Sequence, residues 1–139
     1  MKYKIRLLAA TCISSLISTA VYAQQMEDGY TWIVSDNFGG NSFIHYPSIQ
    51  FDTKNANLVY AWFKDMPTNS QKYFQTQEVI DCSNLLSSSI NLIEFDRLGR
   101  VIDTFQMPIQ FTANNPNSVG EAKSKAACAY KANLQRVSL

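Results

Sequence analysis

The feature that most constrains this chain is a pair of cysteines, Cys82 and Cys128, in a sequence that opens like an export signal. The first six residues carry Lys2, Lys4 and Arg6 without an acid, Leu7 to Ala20 runs uncharged, and Val21-Tyr22-Ala23 follows. A basic segment, an apolar segment and a small-x-small site in that order describe a secretory signal peptide, expected over residues 1–23. The competing reading, a membrane-spanning helix, needs about 20 predominantly apolar residues. This run is shorter and is diluted by Thr11, Ser14, Ser15, Ser18 and Thr19. Cys12 reads as part of the apolar segment rather than as a lipid-attachment site. Cleavage before it would leave a very short apolar stretch and would put Thr11 where Gly, Ala or Ser is usual. The expected product is exported, either periplasmic or secreted to the cell surface, without a lipid anchor and without a membrane span after cleavage.

Cys82 and Cys128 then remain in an oxidising compartment, where a pair of cysteines reads first as a disulfide and second as two free thiols. The chain-entropy model assigns about 4 kcal/mol, as an upper figure, to closing a loop of about 47 residues. Residues 24–139 are long enough for a single domain with one core. Without the three cations of the leader, nine basic residues face eleven acids, so the domain is slightly acidic and offers no basic surface for nucleic acid.

Six segments cluster β-branched and aromatic residues between turn signals. They are Tyr30 to Ser35, Ser42 to Phe51, Leu58 to Lys64, Gln71 to Asp81, Ser88 to Phe95 and Val101 to Met107. Pro47 predicts a split or an edge in the second. The nearly unbroken apolar run of the third predicts a central strand covered on both faces. Gly39 and Gly40 are expected to supply positive φ after the first strand, and Gly99 the left-handed position of a hairpin loop. Short loops without intervening helices imply an antiparallel meander.

Pro108 to Asn117 reads as a loop. Ser118 with Glu121 then forms a capping-box pattern before an Ala- and Lys-rich stretch, predicting a helix from about Ser118 to Leu134. The fold class is therefore α+β, a six-stranded antiparallel sheet meander with a C-terminal helix that a Cys82–Cys128 bridge would tether to it. Ala122, Ala126 and Ala129 are expected against the sheet, with Lys123, Lys125 and Lys131 solvated.

Chemistry-bearing residues are sparse. His45 is the single histidine and sits among Phe43, Ile44 and Tyr46, a setting that favours packing over catalysis. One His and two bridged Cys cannot furnish an ordinary zinc site, and no dense carboxylate calcium loop or phosphate-binding glycine motif is present. Glu78, Asp81, Glu94 and Asp103 could supply a hydrolase pair only if two of them met, and acids at strand ends are expected to be solvated. No catalytic residue, metal ligand or cofactor is assigned. The eleven aromatics between Tyr30 and Phe74 instead suggest an apolar patch for protein binding or self-association, because one helix cannot cover both faces of the sheet.

Several segments resemble, in order, the surface-adhesin protein E family of Gram-negative bacteria. They are Trp32-Ile33-Val34, Tyr46-Pro47-Ser48-Ile49, Val59-Tyr60-Ala61-Trp62, Glu78-Val79-Ile80-Asp81-Cys82, and Pro116-Asn117-Ser118-Val119-Gly120-Glu121 leading to Cys128. The resemblance spans nearly all of residues 24–139. It implies the same stapled sheet and helix, binding of host extracellular-matrix or plasma proteins, and dimerisation. The resulting expectation is a non-enzymatic, adhesin-like module. Its alternative is a periplasmic structural partner or enzyme inhibitor that binds another envelope protein.

Overall fold

The computed structural model describes residues 29–137; the expected signal peptide and Cys12 lie outside them. Six strands follow one another as β1 (Tyr30–Ser35), β2 (Asn41–Phe51), β3 (Leu58–Met66), β4 (Lys72–Asp81), β5 (Leu86–Asp96) and β6 (Val101–Gln106). Each pairs antiparallel with the next, so spatial order equals chain order and the sheet is the expected meander. Short turns enforce this arrangement. Asp36 accepts hydrogen bonds from the Phe38 and Gly40 amides, and Asp96 does the same for Leu98 and Arg100. The left-handed positions at these turns belong to Gly39 (φ 84°) and Gly99 (φ 78°). Gly40, expected to share that role, does not adopt positive φ; it lies so close to Asp36 that a Cβ would meet a carboxylate oxygen at 2.6 Å.

Pro47 lies where the β2–β3 register shifts, between His45 and Gln50. The ladder to β3 is thus interrupted at Pro47, and no described residue of β1 pairs with β2 beyond His45, so the missing N–H costs no ladder bond there. The 108–117 segment is not wholly a loop. Thr112–Ala113 form a two-residue strand, β7, opposite Ser87 and Leu86 at the start of β5. Such a pair is too short to leave a propensity signal. It forms because β5 extends beyond β6, leaving ladder positions that the returning chain fills.

The helix α1 (Val119–Val137) lies over one face of the sheet. Ser118 caps it, accepting from the Glu121 amide at 3.2 Å. The return bond differs from a reciprocal capping box: the Glu121 carboxylate accepts from the Asn117 amide at 2.7 Å, where Asn117 itself is left-handed (φ 58°). Ile44, Val59, Ala61, Phe63 and Ile80 of the sheet form the buried core with Ala127 of the helix. The bridge between Cys82, just after β4, and Cys128 on α1 joins helix to sheet across a Cα separation of 5.6 Å.

Two expectations about burial are corrected. β3 is covered by the helix on one face: Val59, Ala61 and Phe63 are buried under α1, whereas Tyr60, Trp62 and Lys64 alternate with them and are half-buried. The helix does not cover that second face, where large side chains shield one another: Phe43 and Val79, paired there with Lys64 and Tyr60, are buried. On α1, the inward residues are Lys123, Ser124 and Ala127, while Ala129 is exposed. That spacing of three and four residues is one helix face, set by the position of Cys128 rather than by side-chain polarity.

Candidate functional site

Of the residues considered for chemistry, only Glu94 and Asp103 come together, and each already has a partner of its own. His45 pairs in register with Trp62 and faces away from the helix, its ring 4.9 Å from that of Tyr30. Glu78 pairs with Ala61 and faces the helix. Glu78 and Glu94 share that face, but Glu94 lies opposite Phe74, four residues farther along β4, or about 13 Å of strand. Glu94 and Asp103 are direct cross-strand neighbours. Lys72 ion-pairs with Glu94, and Asp103 accepts from the Thr104 amide on the exposed strand β6. Asp81 is occupied in the β4–β5 turn, accepting from Ser83 and Asn84, which hold its carboxyl below the usual aspartate range. Among the described residues, no group of three or more His, Cys, Asp or Glu is placed to hold a metal ion.

Two other features stand out. The first is the edge. β6 ends the sheet and is exposed along its whole length, with no described strand on its outer side. Val101, Ile102 and Phe105 are 60, 48 and 47 % exposed, and Ile109 and Phe111 extend the apolar surface beyond it. Of the eleven aromatics expected to supply a patch, Trp32, Phe38 and Phe51 are exposed, at scattered positions. The apolar surface is concentrated instead in residues 101–111. The last strand of a meander leaves its outer backbone groups unpaired, and the exposure of its side chains follows from the helix packing on the other strands.

The second feature lies where α1 crosses β4 and β5. Lys123, expected in solvent, is 6 % exposed, and Glu78 is 7 % exposed. The Lys123 ammonium donates to Asp65 at 2.6 Å and to Glu78 at 3.4 Å. Burial raises the Glu78 carboxyl above its usual range; Lys123 opposes this rise and the charge on Asp65 adds to it. The three charges come from three elements far apart in sequence, so no local pattern announces them. Beside Glu78 is a cavity of about 460 Å³, bounded by serines of β5, by the 107–114 segment and by α1.

Asn114 ties the walls of that cavity together. Its amide donates to Leu85 O and the Ser124 hydroxyl, and its carbonyl oxygen accepts from the Ser87 hydroxyl. Gly120 permits this contact, because a Cβ there would stand 2.4 Å from the Asn114 oxygen. Thus the turn of sequence that begins the helix also shapes the cavity.

Neither a family model nor a curated protein sequence matches the chain. Two solved structures are similar to it. Crystal form II of Haemophilus influenzae protein E has a TM-score of 0.57 at 14 % identity, over 77 % of this chain and 92 % of that one. A second structure of Haemophilus influenzae protein E has a TM-score of 0.56 at 15 % identity, over 78 % of this chain and 89 % of that one. At such identity the likeness speaks for architecture alone. The stapled meander and helix described above therefore constitute a protein E-like fold.

Proposed function

We propose that this chain is an exported, adhesin-like binding module, a single domain over residues 24–139 after removal of residues 1–23, that engages proteins through its β6 edge. The observation that carries this reading is the exposure of Val101, Ile102 and Phe105 on a strand whose outer backbone groups face no other described strand. An edge of that kind offers main-chain hydrogen bonds for an added strand and apolar side chains for specificity. The protein E-like fold and the sequence resemblance favour a host extracellular-matrix or plasma protein as partner. The same edge suits a second copy of the chain, and hence a homodimer. Catalysis has no counterpart in this reading.

Ile102→Lys and Phe105→Lys test it, because both side chains already face solvent and a charge there opposes docking without emptying the core. Binding to immobilised matrix proteins should fall at least tenfold in both variants, and any dimer seen by sedimentation should dissociate. Surface labelling of whole cells should find the protein outside. Thr11 before Cys12, where Gly, Ala or Ser is usual at a lipid-attachment site, favours a second reading, a periplasmic partner or inhibitor. Exclusive recovery from the periplasm with an envelope protein, and no retention on matrix proteins, would establish that reading instead.

A further inference from the structure

The cavity beside Glu78 carries an inference that does not depend on the β6 edge. Glu78 is buried, and its one hydrogen bond among the described residues is the 3.4 Å contact with Lys123. The same ammonium is held more closely by Asp65, at 2.6 Å. Two carboxylates thus share one cation, and ionisation of both leaves a net negative charge under the helix. No fully enclosed side-chain nitrogen or oxygen in the described residues lacks a partner. The Glu78 oxygen that Lys123 does not reach must therefore open into the cavity that Glu78 lines.

The surrounding wall supplies matching chemistry. Ser88, Ser89, Gln110 and Thr112 present hydroxyl and amide groups, with Met107 and Pro108 beside them. Lys123 is the one cationic residue in the lining, and its charge is already opposed by Asp65 and Glu78. An anion would meet two carboxylates and a neutralised ammonium. A bare metal ion would lack the cluster of ligands it needs. A group with several N–H donors fits better, because it can serve a carboxylate and neighbouring neutral oxygens together.

We propose that this cavity binds an alkylammonium or guanidinium group, with Glu78 as its counter-ion. The shared chemistry could come from a free small cation or from a Lys or Arg side chain of a bound protein. Titration of the purified protein with methylguanidinium chloride should produce saturable amide NMR shifts at Ser88, Ser89 and Gln110, beyond those caused by sodium chloride at equal ionic strength. Glu78→Gln keeps the shape and removes the charge, and should weaken binding at least tenfold. Ser89→Trp at the exposed rim should block entry and abolish the shifts, and it decides the matter if the first variant misfolds. Tighter binding of an Ala-Arg-Ala peptide than of free arginine would assign the group to a protein side chain; the reverse order would assign it to a small cation. Shifts no larger than those with sodium chloride, or wild-type affinity in both variants, would overturn the proposal. Such a failure would leave the β6 reading intact, since the edge variants do not line the cavity.

Discussion

The sheet has one half under the helix and one half beyond it, and the two halves use similar residues to opposite ends. On β3, Phe63 is wholly buried against α1; on β6, Phe105 is half-exposed at the sheet edge. Both strands alternate, both contain β-branched and aromatic residues, and both have antiparallel partners. The difference is position. The helix, fixed by the bridge at Cys128, packs mainly on β1 to β3 and barely reaches β5, so β6 receives no cover from the described residues. Hydrophobic residues are thus a core in one half and an exposed edge in the other.

The sharpest way to break this contrast is to truncate each phenylalanine. Phe63→Ala should cost about 3–5 kcal/mol, as expected for emptying a packed aromatic site. Phe105→Ala should stay within about 1 kcal/mol in the same urea-unfolding series, its exposed ring having little to lose. Equal losses would show that β6 is covered in solution.

Removing the staple is the next largest effect. Replacing Cys82 and Cys128 together by Ala should lower stability by about 2–4 kcal/mol under oxidising conditions. A reductant should destabilise the wild type by a similar amount and leave the double variant unchanged. Amide exchange should then rise most over α1 and least over the β3–β4 ladder.

Gly120→Ala probes the joint between the halves. The added methyl would meet the Asn114 oxygen, and overpacking of this kind costs about 1–3 kcal/mol. The 107–114 segment should loosen along with the helix start. A neutral result in thermal unfolding would mean that Asn114 yields without losing its partners.

The smallest effect is a pH slope. Because Glu78 is raised above its ordinary value of 4.5, chiefly by burial, its ionisation opposes folding. Its contribution is complete below the ordinary glutamate range and is lost as pH rises through the raised value. Asp65 and Lys123 are the charged groups that face it. Glu78→Gln should therefore remove a decline in stability on the alkaline side of 4.5, measured by urea unfolding across pH, and should be at least as stable as wild type at neutrality. The half-buried acids Asp52, Asp81, Asp96 and Glu121, all held low by hydrogen bonds, act with the opposite sign and lose their contribution as pH falls.

Much of the fold was legible locally. Gly99, Pro47, Ser118 and the alternating strands act over a few residues, and each does what its chemistry predicts apart from the shifted return bond of Glu121. The misplaced features are long-range. Lys123 and Glu78 are 45 positions apart and meet Asp65 a further 13 residues away, so their burial follows from the crossing of α1 over the sheet. Composition suggested that Lys123 would be solvated, because it could not show that two acids await it. The early strands are likewise richer in aromatics than 101–111, yet it is in 101–111 that exposed apolar residues are concentrated.

By itself the sequence determined the strand order, the antiparallel meander, the helix and its cap, and the pair of cysteines available to link them. These depend on backbone dihedrals, hydrogen-bonding capacity and side-chain branching, which operate between near neighbours. Only the tertiary structure decided which face of each strand is dry, which acids share the Lys123 ammonium, and where the cavity opens. Those outcomes depend on the angle and offset at which one helix lies on one sheet, a geometry summed over the whole core and written in no single segment.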